Sequence, residues 1–123
     1  MFNFSKFINS FRYAFEGISY AIKHNQNLKV HFVAAFLVLI FGFMLGLTRF
    51  EMFGVGVLIV LVISAEMINS AIEEVVDLLV QEHSQEAKIA KDVSAGMILL
   101  IAIFAGVVGI CIFVPHILFL FQR

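Results

Sequence analysis

Residues 64–77 read S-A-E-M-I-N-S-A-I-E-E-V-V-D, and they continue a run, Phe53 to Ala65, that carries no charge. Nothing in this stretch breaks a helix. At about 100° per residue, Glu66, Asn69, Ser70, Glu73 and Asp77 fall within an arc of roughly 100°, whereas Met67, Ile68, Ile72 and Val75 point elsewhere. The apolar run is of membrane-spanning character, so these residues make a polar stripe on one face of a membrane helix. A carboxylate at such depth costs roughly 3 kcal/mol or more unless it is paired, solvated or protonated. Glu66, the deepest of them, is therefore a candidate functional residue. Asn69 and Ser70 alone would be read equally well as hydrogen-bonding glue between helices, but three carboxylates on the same face exceed what packing needs.

Composition agrees. The 123 residues are 62% hydrophobic, with a mean hydropathy of +1.03 and no tryptophan, which excludes a soluble globular domain. At about 20 residues per span the length accommodates three, and the expected fold is all-α: a single domain over 1–123 with an N-terminal amphipathic surface helix at 2–23 and transmembrane helices at about 30–48, 52–81 and 96–121. The surface helix is drawn by Phe4, Ile8, Phe11, Phe15, Ile18 and Ile22 at spacings of four and three, an apolar stripe suited to the membrane surface. No continuous apolar core followed by a cleavage site marks it as a signal peptide.

His24 to Asn27 reads as a turn, Thr48 to Glu51 as a short connection, and Gln81 to Asp92 as a polar one, while Pro115 is expected to kink or loosen the last span. Cys111, the only cysteine, is expected to pack and forms no intrachain disulfide. His116 is read as structural. So small a bundle has little interior, so a sizeable site is expected between copies of the chain. The net charge of −1 argues against nucleic acid as a partner.

Lys6, Arg12, Lys23, Lys29, Lys88 and Lys91 fall on the side shared by the N-terminus and the second connection, against Arg49 and Arg123 on the other. By the excess of positive charge the former side is cytoplasmic, and the polar stripe ends there. There is no phosphate-binding Gly-rich loop, no Cys/His cluster with zinc spacing and no nucleophilic Ser elbow. Carboxylates with nearby lysines suit Mg²⁺ and phosphate, and Glu66 is placed to act on a hydroxyl arriving from the lipid. A proton or cation relay would use the same carboxylates, but it predicts polar partners in another span, and Phe32 to Leu47 and Met97 to Val114 hold no charged residue.

Residues 66–77, E-M-I-N-S-A-I-E-E-V-V-D, resemble the signature of the prokaryotic diacylglycerol kinase family, in which a Glu, an Asn-Ser/Thr pair, a second Glu and an Asp recur at this spacing. A-K-D at Ala90 to Asp92 followed by small residues, the surface helix with Tyr13 and Gly17, and N-x-x-x-H at Asn27 to His31 fit as well. The N-x-x-x-H form and the I-F-V-P run ending at Pro115 resemble the Gram-positive branch, whose members typically prefer undecaprenol to diacylglycerol. The resemblance implies a homotrimer in a bacterial cell membrane that phosphorylates a lipid alcohol with MgATP at sites built where subunits meet. It makes Glu66 the general base, with Asn69 placing the reacting groups and Glu73 binding Mg²⁺. It also implies that Lys91 and Asp92 contact ATP, that Lys6 and Tyr13 close over it, and that Glu82, His83 and Ser84 line its other side. Lys6, Glu66 and Ser70 would meet the lipid substrate, for which diacylglycerol is the alternative.

One position departs from the pattern. Where the family usually has a glutamate that shares the metal with the Glu73 position, this chain has Asn25. An amide oxygen still ligates Mg²⁺ but brings no charge, so the expectation is a weaker metal site at Asn25 and Glu73, or compensation by Glu74.

Overall fold

The computed structural model describes residues 3–80 and 84–122. These form four α-helices: α1 (Phe4–His24), α2 (Gln26–Met44), α3 (Arg49–Leu79) and α4 (Gln85–Phe121). The last three are long and apolar enough to cross a membrane. α3 packs most extensively against α4 and then α2, and α1 touches α2 and α3. The interior is small: Leu28, Val55 and Ala65 are the buried apolar residues among those described, whereas the outer faces expose large side chains such as Phe36, Phe53, Leu100 and Phe104. Cys111 also lies on an exposed face rather than in the interior.

Each connection is set by local chemistry. α1 and α2 are separated by a single extended residue, Asn25, which ends α1 with its N–H on the Ala21 carbonyl (2.9 Å) and begins α2 by accepting the Leu28 N–H on its side chain (3.1 Å). That economy is why α2 starts at Gln26, earlier than the turn expected at 24–27 allows. It stops at Met44, short of 48, because Gly46 adopts φ 72°, and the bonds Gly46 N–H to Phe43 O (3.2 Å) and Leu47 N–H to Gly42 O (3.1 Å) satisfy the last carbonyls. Thr48 then caps α3: its hydroxyl accepts the Glu51 N–H (3.2 Å) while Glu51 Oε2 accepts the Thr48 N–H (2.7 Å). Glu51 belongs to the first turn of α3 and not to a connection. Its carboxylate also takes the His116 Nε2 at 3.1 Å, tying α3 to the far end of α4.

α4 starts at Gln85, well before the expected position 96, so Lys88, Lys91 and Asp92 stand on a helix instead of in a polar connection. Ser84 caps it through the Ala87 N–H (3.3 Å), and Lys88 and Asp92 pair one turn apart at 3.6 Å. The helix runs through Pro115 to Phe121. Proline costs α4 one N–H without ending it, as membrane helices tolerate. At 31 and 37 residues, α3 and α4 measure about 46 and 55 Å, against a hydrocarbon thickness of about 30 Å. Gln81 and Arg123, to which expectations were attached, lie outside the described residues, as does the first residue of the expected surface helix.

Candidate active site

The stripe on α3 is graded in depth. Glu66 is 1% exposed and Asn69 4%; Ser70 and Glu73 are half-buried; Asp77 is exposed. The gradient follows from where the neighbouring helices stop covering α3, and each buried member has found a partner. Asn25 donates from Nδ2 to Glu66 Oε1 (3.1 Å) and to the Ser70 hydroxyl, which itself donates to the Glu66 carbonyl (2.8 Å). Asn69 donates to Glu73 Oε1 (3.0 Å) and accepts from Ser94 (2.6 Å), a 5%-exposed serine of α4 whose hydroxyl also lies 2.8 Å from the Lys91 carbonyl. Lys91 pairs with Asp77. A chain of hydrogen bonds thus links the α1–α2 junction to Glu66, and a second links α4 through Asn69 to Glu73.

Beside this face opens a cavity of about 590 Å³ between the second half of α1 and α3, lined among others by Gly17, Tyr20, His24, Asn25, Ser70 and Glu73. Tyr20 and His24 stack with ring centroids 4.1 Å apart, and the Tyr20 hydroxyl donates to Glu74 at 3.4 Å. A second cavity, about 330 Å³ and mostly apolar, runs deeper between α2, α3 and α4 from His31 past Val62 to Phe113.

Of the residues expected to form a site, Asn25, Glu66, Asn69, Ser70 and Glu73 come together, and Lys91 joins them through Asp77. Lys6 and Tyr13 do not line either cavity; Tyr13 instead lies against the Arg12 guanidinium, 5.3 Å from the ring centroid. Asp92 is exposed and paired with Lys88, and Ser84 is committed to capping α4. Glu82 and His83 lie outside the described residues. Ser94, Tyr20 and His24 were not foreseen. A lone serine one turn beyond Lys91 in an otherwise apolar run was the available signal for the first, and two rings four residues apart for the others.

Among the described residues no three His, Cys, Asp or Glu side chains converge as a metal cluster. Glu73, with one oxygen held by Asn69 and the cavity before it, fits a Mg²⁺ that brings its other ligands as nucleotide phosphates, the usual manner of binding for this ion. The Asn25 side-chain oxygen accepts the Leu28 N–H (3.1 Å), and its NH₂ is turned toward Glu66 and Ser70. The arrangement therefore offers a buried carboxylate, Glu66, oriented by an amide and lining neither cavity, with a second carboxylate, Glu73, about two helical turns away at the polar cavity.

The model of the family described as prokaryotic diacylglycerol kinase matches residues 12–113. Among curated proteins, the chain is 40% identical over 110 residues to a diacylglycerol kinase of Synechocystis, covering 89% of this chain and 63% of that protein. It is 37% identical over 111 residues to the undecaprenol kinase of Bacillus subtilis, covering 90% of both, and 30% identical over 101 residues to a diacylglycerol kinase of Haemophilus influenzae, covering 82% and 86%. The chain spans less than two thirds of the Synechocystis relative's length.

Proposed function

From the premise that the chain belongs to the prokaryotic diacylglycerol kinase family, a family of ATP-dependent lipid kinases, we propose that it transfers the γ-phosphate of ATP to the hydroxyl of undecaprenol at the cytoplasmic face of a bacterial membrane. The observation that carries this reading is the graded stripe itself: one helix face runs from a buried carboxylate at Glu66 to an exposed one, paired with Lys91, at Asp77. A lipid alcohol is confined to the hydrocarbon and a nucleotide to water, and a reaction between them needs groups at both depths. Glu66 accepts the hydroxyl proton as the oxygen attacks the γ-phosphorus, the bond to the β-phosphate oxygen breaks, and ADP leaves. Asn69, fixed between Ser94 and Glu73, aligns the phosphate, and Ser70 lies beside the entering hydroxyl. Glu73 would hold Mg²⁺, which when bound would neutralise phosphate charge.

Lys91 and Asp92 flank the nucleotide from α4. Lys6, Tyr13, Ser84, Glu82 and His83 serve the nucleotide in a homotrimer, whose sites lie where copies meet; this accounts for Lys6 and Tyr13 standing away from the cavities of their own chain. The exposed apolar faces of the three spanning helices suit both lipid and neighbouring copies. The excess of lysine and arginine at the α1 end supports a cytoplasmic position for that end.

Undecaprenol is favoured over diacylglycerol by the relative that matches along 90% of both chains and by the N-x-x-x-H form at Asn27 to His31. Diacylglycerol is the second reading, because two of the three relatives carry that name. The test is phosphate transfer from γ-labelled ATP by the purified protein to undecaprenol and to diacylglycerol, presented together in one lipid mixture. Label in undecaprenyl phosphate supports the reading, label in phosphatidic acid replaces the substrate, and label in neither refutes it.

A further inference from the structure

Asn25 uses both of its side-chain N–H groups and one lone pair of its oxygen inside the protein. Its oxygen accepts the Leu28 N–H at 3.1 Å, and its nitrogen donates to both Glu66 Oε1 and the Ser70 hydroxyl. The partners fix which end of the amide is which. Turned over, it would set an oxygen against the Glu66 carboxylate and an NH₂ against the Leu28 N–H. Leu28 is fully buried, so the backbone donor that holds the oxygen cannot swing away without drawing an anchored side chain out of the bundle.

We infer that Asn25 is a positioning residue for Glu66 and not a metal ligand: its NH₂ orients the reactive carboxylate while its oxygen joins α1 to α2. This rests on the reading of Glu66 as the base. Asn25 is the only described side chain that hydrogen-bonds the Glu66 carboxylate. The charged and titratable groups on the surrounding elements have other attachments or face outward. On α1, His24 bonds the Tyr20 carbonyl and stacks on its ring. On α2, Lys29 is exposed and His31 lines the apolar cavity. On α3, Glu73 takes the Asn69 amide, and on α4, Lys91 pairs with Asp77. A carboxylate with one donor has one determinant of its direction, and Asn25 supplies it. The same residue is the hinge between α1, which walls the larger cavity, and α2, so the orientation of Glu66 is coupled to the seating of α1.

Two variants test this, Asn25→Ser and Asn25→Asp, both with side chains that cap helices. Serine removes the NH₂ donor without adding charge; aspartate keeps the cap oxygen and sets a carboxylate against Glu66. As a positioning residue, Asn25→Ser lowers kcat about 10- to 100-fold, the scale of a small misplacement of a reacting group, and Asn25→Asp lowers it further. Half-saturating Mg²⁺ and the KM for MgATP stay within about twofold of the parent in both. A metal-ligand role predicts the reverse for Asn25→Asp: a lower half-saturating Mg²⁺ and a rate held or raised, which would overturn the inference.

Two readouts need no turnover. The infrared carboxylate band lost on Glu66→Gln is assigned to Glu66, and it shifts in Asn25→Ser if the NH₂ grips it; an unshifted band overturns the inference. Mn²⁺ binding followed by paramagnetic resonance is unchanged in Asn25→Asp, whereas tighter binding overturns it. If the parent protein phosphorylates no lipid alcohol, the kinase reading fails, and these two measurements still decide the placement of Asn25.

Discussion

Replacing Glu66 by glutamine separates catalysis from stability, because the structure predicts opposite signs for the two. The side chain is 1% exposed and its carboxylate receives a single hydrogen bond, from an uncharged amide. The substitution keeps shape and leaves an oxygen that still accepts from Asn25, but it removes the atom that takes the hydroxyl proton in the proposed reaction. Loss of a general base costs about 10² to 10⁴ in rate, equivalent to about 3 to 5.5 kcal/mol at 1.36 kcal/mol per tenfold. On the stability side, a poorly compensated buried charge is unfavourable by several kcal/mol, and neutralising it relieves that cost, offset by about 1–3 kcal/mol if the new NH₂ finds no acceptor. Glu66→Gln is therefore expected to be at least as thermostable as the parent in detergent while transferring phosphate at no more than about a hundredth of its rate. The assay is initial rate of label transfer from ATP to undecaprenol, beside thermal unfolding of the same preparation. Turnover within a few-fold of the parent refutes the assignment of the base, and a marked drop in melting temperature refutes the account of the buried charge.

Glu73→Ala removes the carboxylate placed at the polar cavity, and the Mg²⁺ concentration needed for half-maximal rate should rise sharply; an unchanged magnesium curve would put the ion elsewhere. Ser94→Ala leaves the Asn69 oxygen, on a residue 4% exposed, without its donor at 2.6 Å, so thermal unfolding should show a loss of about 1–3 kcal/mol, together with a slower transfer rate as Asn69 loosens. Gly46→Ala meets no atom within 4 Å, but the backbone is at φ 72°, so the cost is conformational only, about 1–2 kcal/mol; a neutral result would mean that the α2–α3 hairpin relaxes to another turn.

The stripe on α3 was legible in the sequence because helical periodicity alone puts Glu66, Asn69, Ser70, Glu73 and Asp77 on one face; their graded burial, set by the neighbouring helices, was not. The three spans were legible from hydropathy. The ends of the helices were not, since polar composition alone does not separate a connection from a polar stretch of helix. Gln85 to Asp92 are polar yet good helix formers behind a serine cap, and Gln26 to Lys29 could begin α2 only because Asn25 does the work of two caps. The role of Asn25 was the hardest to read. Its identity differs from the family pattern, and only the bonds to Leu28, Glu66 and Ser70, residues up to 45 positions away, show which way its amide is turned. The Glu51–His116 pair, 65 positions apart, lay hidden for the same reason, with His116 readable only as a structural residue at the far interface.

The hairpin that closes α2 and α3 has one more consequence. α3 starts at Arg49, directly after the Thr48 cap, and Glu66 follows roughly 25 Å along its axis at about 1.5 Å per residue. With its start at one surface of a bilayer whose hydrocarbon is about 30 Å thick, α3 would act as a gauge that sets Glu66, the base in the proposed reaction, a few ångströms below the opposite surface. No side chain adjusts that height. On the proposed reaction, membrane thickness would, because a thicker bilayer sinks Glu66 beneath the plane where a phosphate group can stop, and a thinner one lifts it into the headgroups.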